Sequence, residues 1–151
     1  MAIKDTTILT KVETQIFDMF RAEMGSANGV KAFIGKIPPQ GINVWMFKID
    51  GGGEPLDSMF TNGTPGNCGR WRMDAMVAGV FAERANAQLL AGVVRVLVPI
   101  TEGGLANVHW LRPTSEPTFT PLDVPDRKGN MIECWRVEYP LEVIMKDDGV
   151  T

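Results

Sequence analysis

A chain of 151 residues with 44% hydrophobic and 22% charged residues is long enough for one core that buries roughly 70% of the unfolded surface, and its composition excludes a disordered polymer. The net charge of −3, with Lys and Arg scattered, leaves no basic stripe to grip a phosphate backbone. The best candidate for a membrane span, Leu89 to Ile100, is short and contains Arg95, and Met1 to Thr7 carries charges where a signal peptide needs its apolar core. The expected compartment is therefore the cytoplasm where the chain is made, with Cys68 and Cys134 as free thiols.

From Thr7 to Met24, Leu9, Val12, Ile16 and Phe20 fall at helical spacing, and Phe17 and Met19 widen the stripe. Thr10 and Glu13 fit a capping box, although Asp5 or Thr6 serves equally as the start. Gly25 and Asn28-Gly29 end the helix, because glycine and asparagine accept the left-handed conformation of a helix terminus. A short strand, Lys31 to Ile37, follows, and Pro38-Pro39-Gln40-Gly41 is expected to return the chain antiparallel into Ile42 to Ile49. That second strand is apolar on both faces, Ile42, Val44 and Met46 against Trp45, Phe47 and Ile49, which suits an interior position or one covered by a neighbouring subunit.

Gly51 to Gly69 is the most unusual stretch, nineteen residues with six glycines and two prolines. Compact domains rarely keep so long a loop without a use. Beyond it, Arg70 to Phe81 alternates Trp71, Met73, Ala75 and Val77 against Arg70, Arg72 and Asp74, a strand with a core face and a charged face. Glu83 opens a helix to about Val98, with Ala82, Ala85, Leu89, Val93 and Leu97 on one stripe and Leu90, Val94 and Arg95 beside it; Pro99 stops it.

A strand from Val108 to Arg112 comes next, and then prolines recur at 113, 117, 121 and 125. Proline fixes its own φ and pushes its predecessor toward extended conformations, so residues 113–129 are expected as a stretched arm or a sheet edge, ending in a turn at Asp126 to Asn130. The last strand runs from Met131 to Met145, with Pro140 at a bulge or an unpaired edge position. The order of elements predicts one α+β domain over residues 1–151: a mostly antiparallel sheet packed with two helices, and a long loop between central strands.

Little in the chain points to chemistry. Gly51-Gly52-Gly53 lacks the Gly-Lys-Ser/Thr of a phosphate loop, and Glu54 and Asp57 would repel phosphate. Cys68, in Asn-Cys-Gly-Arg-Trp, has only His109 as a base, and it precedes a strand rather than the helix N-terminus that would lower its pKa. One histidine and two distant cysteines supply no usual metal set, so neither metal nor cofactor is expected. Trp45, Trp71, Trp110 and Trp135 all fall on predicted strands as core or interface anchors. A stacking platform for single-stranded nucleic acid would want interleaved cations, and only Arg70, Arg72, Arg112 and Arg136 approach that pattern.

From Trp71 to Glu142, an alternating strand runs into an alanine- and leucine-rich helix ending at Pro99. Val-His-Trp-Leu-Arg-Pro follows, then a closing Glu-Cys-Trp-Arg-Val-Glu-Tyr-Pro-Leu-Glu-Val strand. Behind an N-terminal amphipathic helix, that order resembles the tail terminator proteins of long-tailed bacteriophages, a likeness of pattern and size covering Leu9 to Met145. The resemblance implies a non-enzymatic structural protomer that forms a ring, typically a hexamer, in the tail and neck of a virion assembled in the host cytoplasm. Such a ring caps the tail tube, meets a neck or head-completion protein, and lets DNA through its lumen without specific binding. The long loop at 51–69 and the proline arm exceed a minimal terminator, which leaves another head–tail connector or tail-completion ring as the alternative, and a small cysteine enzyme using Cys68 and His109 as a further one. In the ring reading, Met59 and Phe60 of the loop, with Phe119 and Leu122 of the arm, are the expected interface residues, since large apolar side chains in such segments want a surface to bury against.

Overall fold

The computed structural model describes residues 8–25, 30–38, 41–50, 54–55, 70–100 and 104–146. Two helices and seven strands follow in the order α1 (Ile8–Met24), β1 (Lys31–Ile34), β2 (Val44–Ile49), β3 (Glu54–Pro55), β4 (Arg70–Phe81), α2 (Arg84–Leu97), β5 (Val108–Pro113), β6 (Thr118–Pro125) and β7 (Met131–Lys146). The strands make one sheet in the order β1-β2-β4-β7-β5, with β3 added to β4 and β6 added to β7. All pairs except β1–β2 are antiparallel, so the architecture is the expected α+β arrangement.

Helices α1 and α2 pack on one face. Ile8, Val12, Ile16 and Phe20 of α1 and Ala87, Leu90, Ala91 and Val94 of α2 meet Trp45, Phe47, Val77, Phe81, Val137, Leu141 and Val143 of the strands. Phe17 lies 5.4 Å from Trp45 and Phe20 lies 6.0 Å from Phe47, ring centre to ring centre, in tilted contacts that favour aromatic pairing. The opposite face carries a smaller apolar cluster of Val44, Val80, Val124 and Cys134, covered by Phe33, Ile37, Ile42, Leu122 and Ile132. This explains the two apolar faces of β2: it is an interior strand between β1 and β4, buried on both sides.

Several expectations are corrected. Thr10 lies inside α1 rather than at its start, and Glu13 forms no capping box there; its carboxylate instead accepts a hydrogen bond from the Ile49 backbone N–H at 2.9 Å. Gly25 does end the helix, at φ +65° with its N–H donating to the Arg21 carbonyl at 3.0 Å. Strand β1 does not turn back as a hairpin but pairs parallel with β2, Lys31 opposite Val44. Ahead of β2 the Gly41 N–H donates to the Pro38 carbonyl at 3.1 Å and Asn43 lies in the left-handed region at φ 58°. Two residues between β1 and β2, Ile37 and Ile42, seal the second apolar cluster, and that burial favours a return path over a hairpin.

Two further differences concern the loop and the arm. Within the expected loop, Glu54–Pro55 forms the short strand β3 against Trp71 and Arg72; the other residues of 51–69 lie outside the described residues. The arm folds back as β6, the partner of β7 in a hairpin whose turn is held by the Asp126 carboxylate, which accepts from the Lys128 and Asn130 N–H groups at 2.8 and 2.9 Å.

Candidate assembly surfaces

Helix α2 is apolar nearly all round, and this decides the most prominent surface. Arg84, Asn86, Gln88 and Arg95 are its only strongly polar side chains. Of the stripe read from the spacing, Ala82, Ala85, Leu89, Val93 and Leu97, only Val93 and Leu97 pack, half-buried, against the core. Ala87, Leu90, Ala91 and Val94 are buried instead, while Leu89 is 52% and Val96 84% exposed. Periodicity cannot choose between two apolar stripes on one helix. The Arg95 guanidinium sits 2.8 Å from the Glu116 carboxylate, and a hydrogen bond from Arg95 to Tyr139, then the Glu116 charge, hold it above its ordinary pKa. Small Ala87 and Ala91 face the sheet and allow a close approach.

The uncovered face is a groove of about 520 Å³ lined by Ala85, Leu89, Gly92, Val93, Val96 and Leu97, with Glu23 of α1 and Gln88 on its rim. A Cβ built on Gly92 meets nothing within 4 Å. Glycine inside a helix costs about 1 kcal/mol relative to alanine, and no neighbour among the described residues requires it here.

A second surface is a projecting ribbon. The last pairing between β4 and β7 joins Phe81 to Trp135, so Met131 to Cys134 pair only with Leu122 to Pro125 of β6. At about 3.4 Å per residue these four residues carry the ribbon roughly 14 Å past the end of β4, with Ile37 and Ile42 packed along one side. One side of it is buried under the small cluster of Val124 and Cys134. At its tip Met131 is 62% exposed beside exposed Arg127 and Lys128.

The prolines keep this ribbon's outer edge closed. The Thr114 N–H donates to the Pro140 carbonyl at 3.1 Å, so Pro140 and the other even-numbered residues of β7 turn their backbone toward β5 and β6. The register then turns Thr118, Thr120, Leu122 and Val124 inward and Phe119, Pro121, Asp123 and Pro125 outward. Spacing of four, an even number, thus places the missing N–H groups of Pro121 and Pro125 on the free edge, where they blunt it against stray pairing. Pro140 itself falls in the gap between the ends of β5 and β6 but is neither at a bulge nor at a sheet edge, since β7 is an interior strand and Pro140 pairs with Met76 of β4.

The helix-free face carries paired charge. Glu142 is only 4% exposed, with one oxygen 2.8 Å from Arg72 Nε and the other 3.1 Å from an Arg112 terminal nitrogen. Arg72 also reaches Asp74 at 3.5 Å, and Arg136 bonds Glu138 at 2.6 Å. Three of the four arginines that approached a nucleic-acid pattern are therefore neutralised by carboxylates, and Arg70's side chain lies outside the described residues.

Among the expected interface residues, Phe119 and Leu122 fall on opposite faces of β6. Phe119 packs half-buried against the main core and Leu122 against the small cluster, so they do not form one patch. Met59, Phe60 and Cys68 lie outside the described residues; His109 is half-buried on β5 beside an irregularity in its pairing with β7. Trp45 is a core residue, whereas Trp110 and Trp135 are half-buried under Arg112 and Arg84, 5.8 and 5.1 Å from guanidinium carbon to ring centre. Among the described residues no three His, Cys, Asp or Glu side chains gather as a metal-ligand set, and no helix is long and apolar enough to cross a membrane. Sequence reasoning placed no expected interface residue on α2, although the excess of apolar residues around the helix was the signal for one. Compared with known protein families the sequence matches none, and comparison with curated proteins finds no significant relative.

Proposed function

We propose that this chain is a structural ring protein of the tail-terminator type, which caps a phage tail tube and joins it to the neck or head connector. The observation that carries the reading is the uncovered apolar face of α2. A helix apolar all round belongs inside a larger body, and here half of it faces solvent within the subunit. The small α+β protomer and the order of its elements agree with the resemblance noted in the sequence. Head-to-tail copies close into a ring, typically of six, in which each subunit is held on two sides, so a modest contact suffices. The paired arginines on the helix-free face suit a protein that lets DNA pass without holding it.

Analytical ultracentrifugation and negative-stain imaging, with the chain alone and with tail tubes of its own virion, test the proposal. Rings, or caps on tube ends, are the expected result. A chain that stays monomeric and leaves tube ends bare would sink it. Replacing Val96 by Asp places a charge on the exposed stripe and is expected to abolish rings and caps while leaving far-ultraviolet circular dichroism unchanged.

A further inference from the structure

The structure holds two features of complementary form on different sides of the subunit: an apolar groove with a glycine floor, and a ribbon ending in an exposed methionine. We infer that the hairpin tip of one copy, Met131 with Arg127 and Lys128, docks into the α2 groove of the next copy. The inference rests on the ring reading and names the contact that would build it.

Shape, polarity and charge each support the same occupant. Met131 at 62% exposure and Val96 at 84% are the two most exposed of the large hydrophobic residues described, and each stands on one of these surfaces. Methionine is unbranched and adapts to irregular apolar gaps. Gly92 leaves open space above the helix backbone between Leu89, Val93 and Val96, which admits a side chain that an alanine would hold farther off. The groove rim carries Glu23, and Glu83 precedes the first turn of α2. The tip offers exposed Arg127 and Lys128, while the charge of Asp126 is engaged by the N–H groups of its own turn. Glu133 lies farther back from the tip.

The two surfaces differ, so the contact is heterologous: each copy gives a tip to one neighbour and a groove to the other, and a closing rotation makes a ring. A ribbon alone is marginal in water, and here one side is already covered by Val44, Val80, Ile37 and Ile42. It can therefore reach a neighbour as a preformed element, with little ordering cost on binding.

The test pairs oligomer size with site-directed crosslinking, in a Cys68→Ser background that leaves only buried Cys134. Val96→Cys and Met131→Cys in one chain are expected to give, on mild oxidation, a non-reducing ladder ending at the ring size, and neither substitution alone a crosslink. A dimer from Val96→Cys alone would mean that α2 packs on its own symmetry mate, which overturns the contact. Glu23→Arg is expected to weaken association about tenfold at low salt, and adding Arg127→Glu with Lys128→Glu to recover it. Rings without the paired crosslink, or indifferent to Glu23→Arg, overturn this contact and leave the ring reading standing. Absence of any self-association, alone or on tubes, overturns both.

Discussion

Glu142 shows how a charge is kept inside the sheet. Both of its oxygens are taken by arginines, so its burial leaves no lone acceptor facing apolar atoms. Breaking a fully buried ion pair costs about 3–5 kcal/mol. Here Arg72 and Arg112 side chains are 37% and 51% exposed, and water shares their solvation. Glu142→Gln is accordingly expected to destabilise the fold by about 1–2 kcal/mol in urea unfolding, below the buried limit. Cys134 has the opposite character. Burial, and then the Asp123 carboxylate, push its thiol above the ordinary 9.0, so the folded chain favours the protonated form. Its contribution to stability is intact below pH 9.0 and is lost as pH rises toward and past the raised native value. Stability measured from pH 8 to pH 11 is expected to fall more steeply for the natural chain than for Cys134→Ala.

At the scale of elements, α2 is where sequence and structure part most clearly. Its boundaries were legible, because Glu83 and Pro99 bracket a run of good helix formers. Its orientation was not, since Leu89–Val93 and Leu90–Val94 make equally good stripes and spacing alone cannot choose between them. Gly92→Ala, placed in a Val96→Asp chain to keep it monomeric, is expected to raise stability by about 0.5–1 kcal/mol, seen as a higher urea midpoint, because the added methyl meets open space. Strand β1 shows a different limit. Pro-Pro-Gln-Gly is good turn chemistry, and the Gly41 N–H does donate to the Pro38 carbonyl. Yet a turn does not say whether the strand after it lies antiparallel beside the first or returns to its start, and long-range burial of Ile37 and Ile42 made that choice.

Over the whole molecule, alternation was enough to read β4 and β7 as strands, the core face of β4 and a mostly antiparallel sheet, but not which strands pair. The second core on the other face was not legible, because it joins residues from five separated segments, Phe33, Ile37–Val44, Val80, Leu122–Val124 and Ile132–Cys134. Of the expected interface residues, Phe119 and Leu122 pack half-buried within their own subunit, Met59 and Phe60 lie outside the described residues, and Leu89, Val96 and Met131, not singled out from the sequence as interface residues, stand uncovered. The sheet's edges are also closed by three different means. Ile100 exchanges both backbone hydrogen bonds with Leu111 along β5, prolines line β6, and β1 is only four residues long.

The proline edge carries a consequence for how this sequence can change over time. Because strand backbone groups alternate direction, the phase of Pro121 and Pro125 is preserved by any insertion or deletion of an even number of residues upstream in β6, and inverted by any odd one. An odd change would swing both rings into the ladder with β7, remove two of its donors, and turn Leu122 and Val124 out of the small core in the same stroke. Descendants of this chain should therefore vary in ribbon length by twos, so that the reach of its tip is adjusted in steps of about 7 Å rather than continuously.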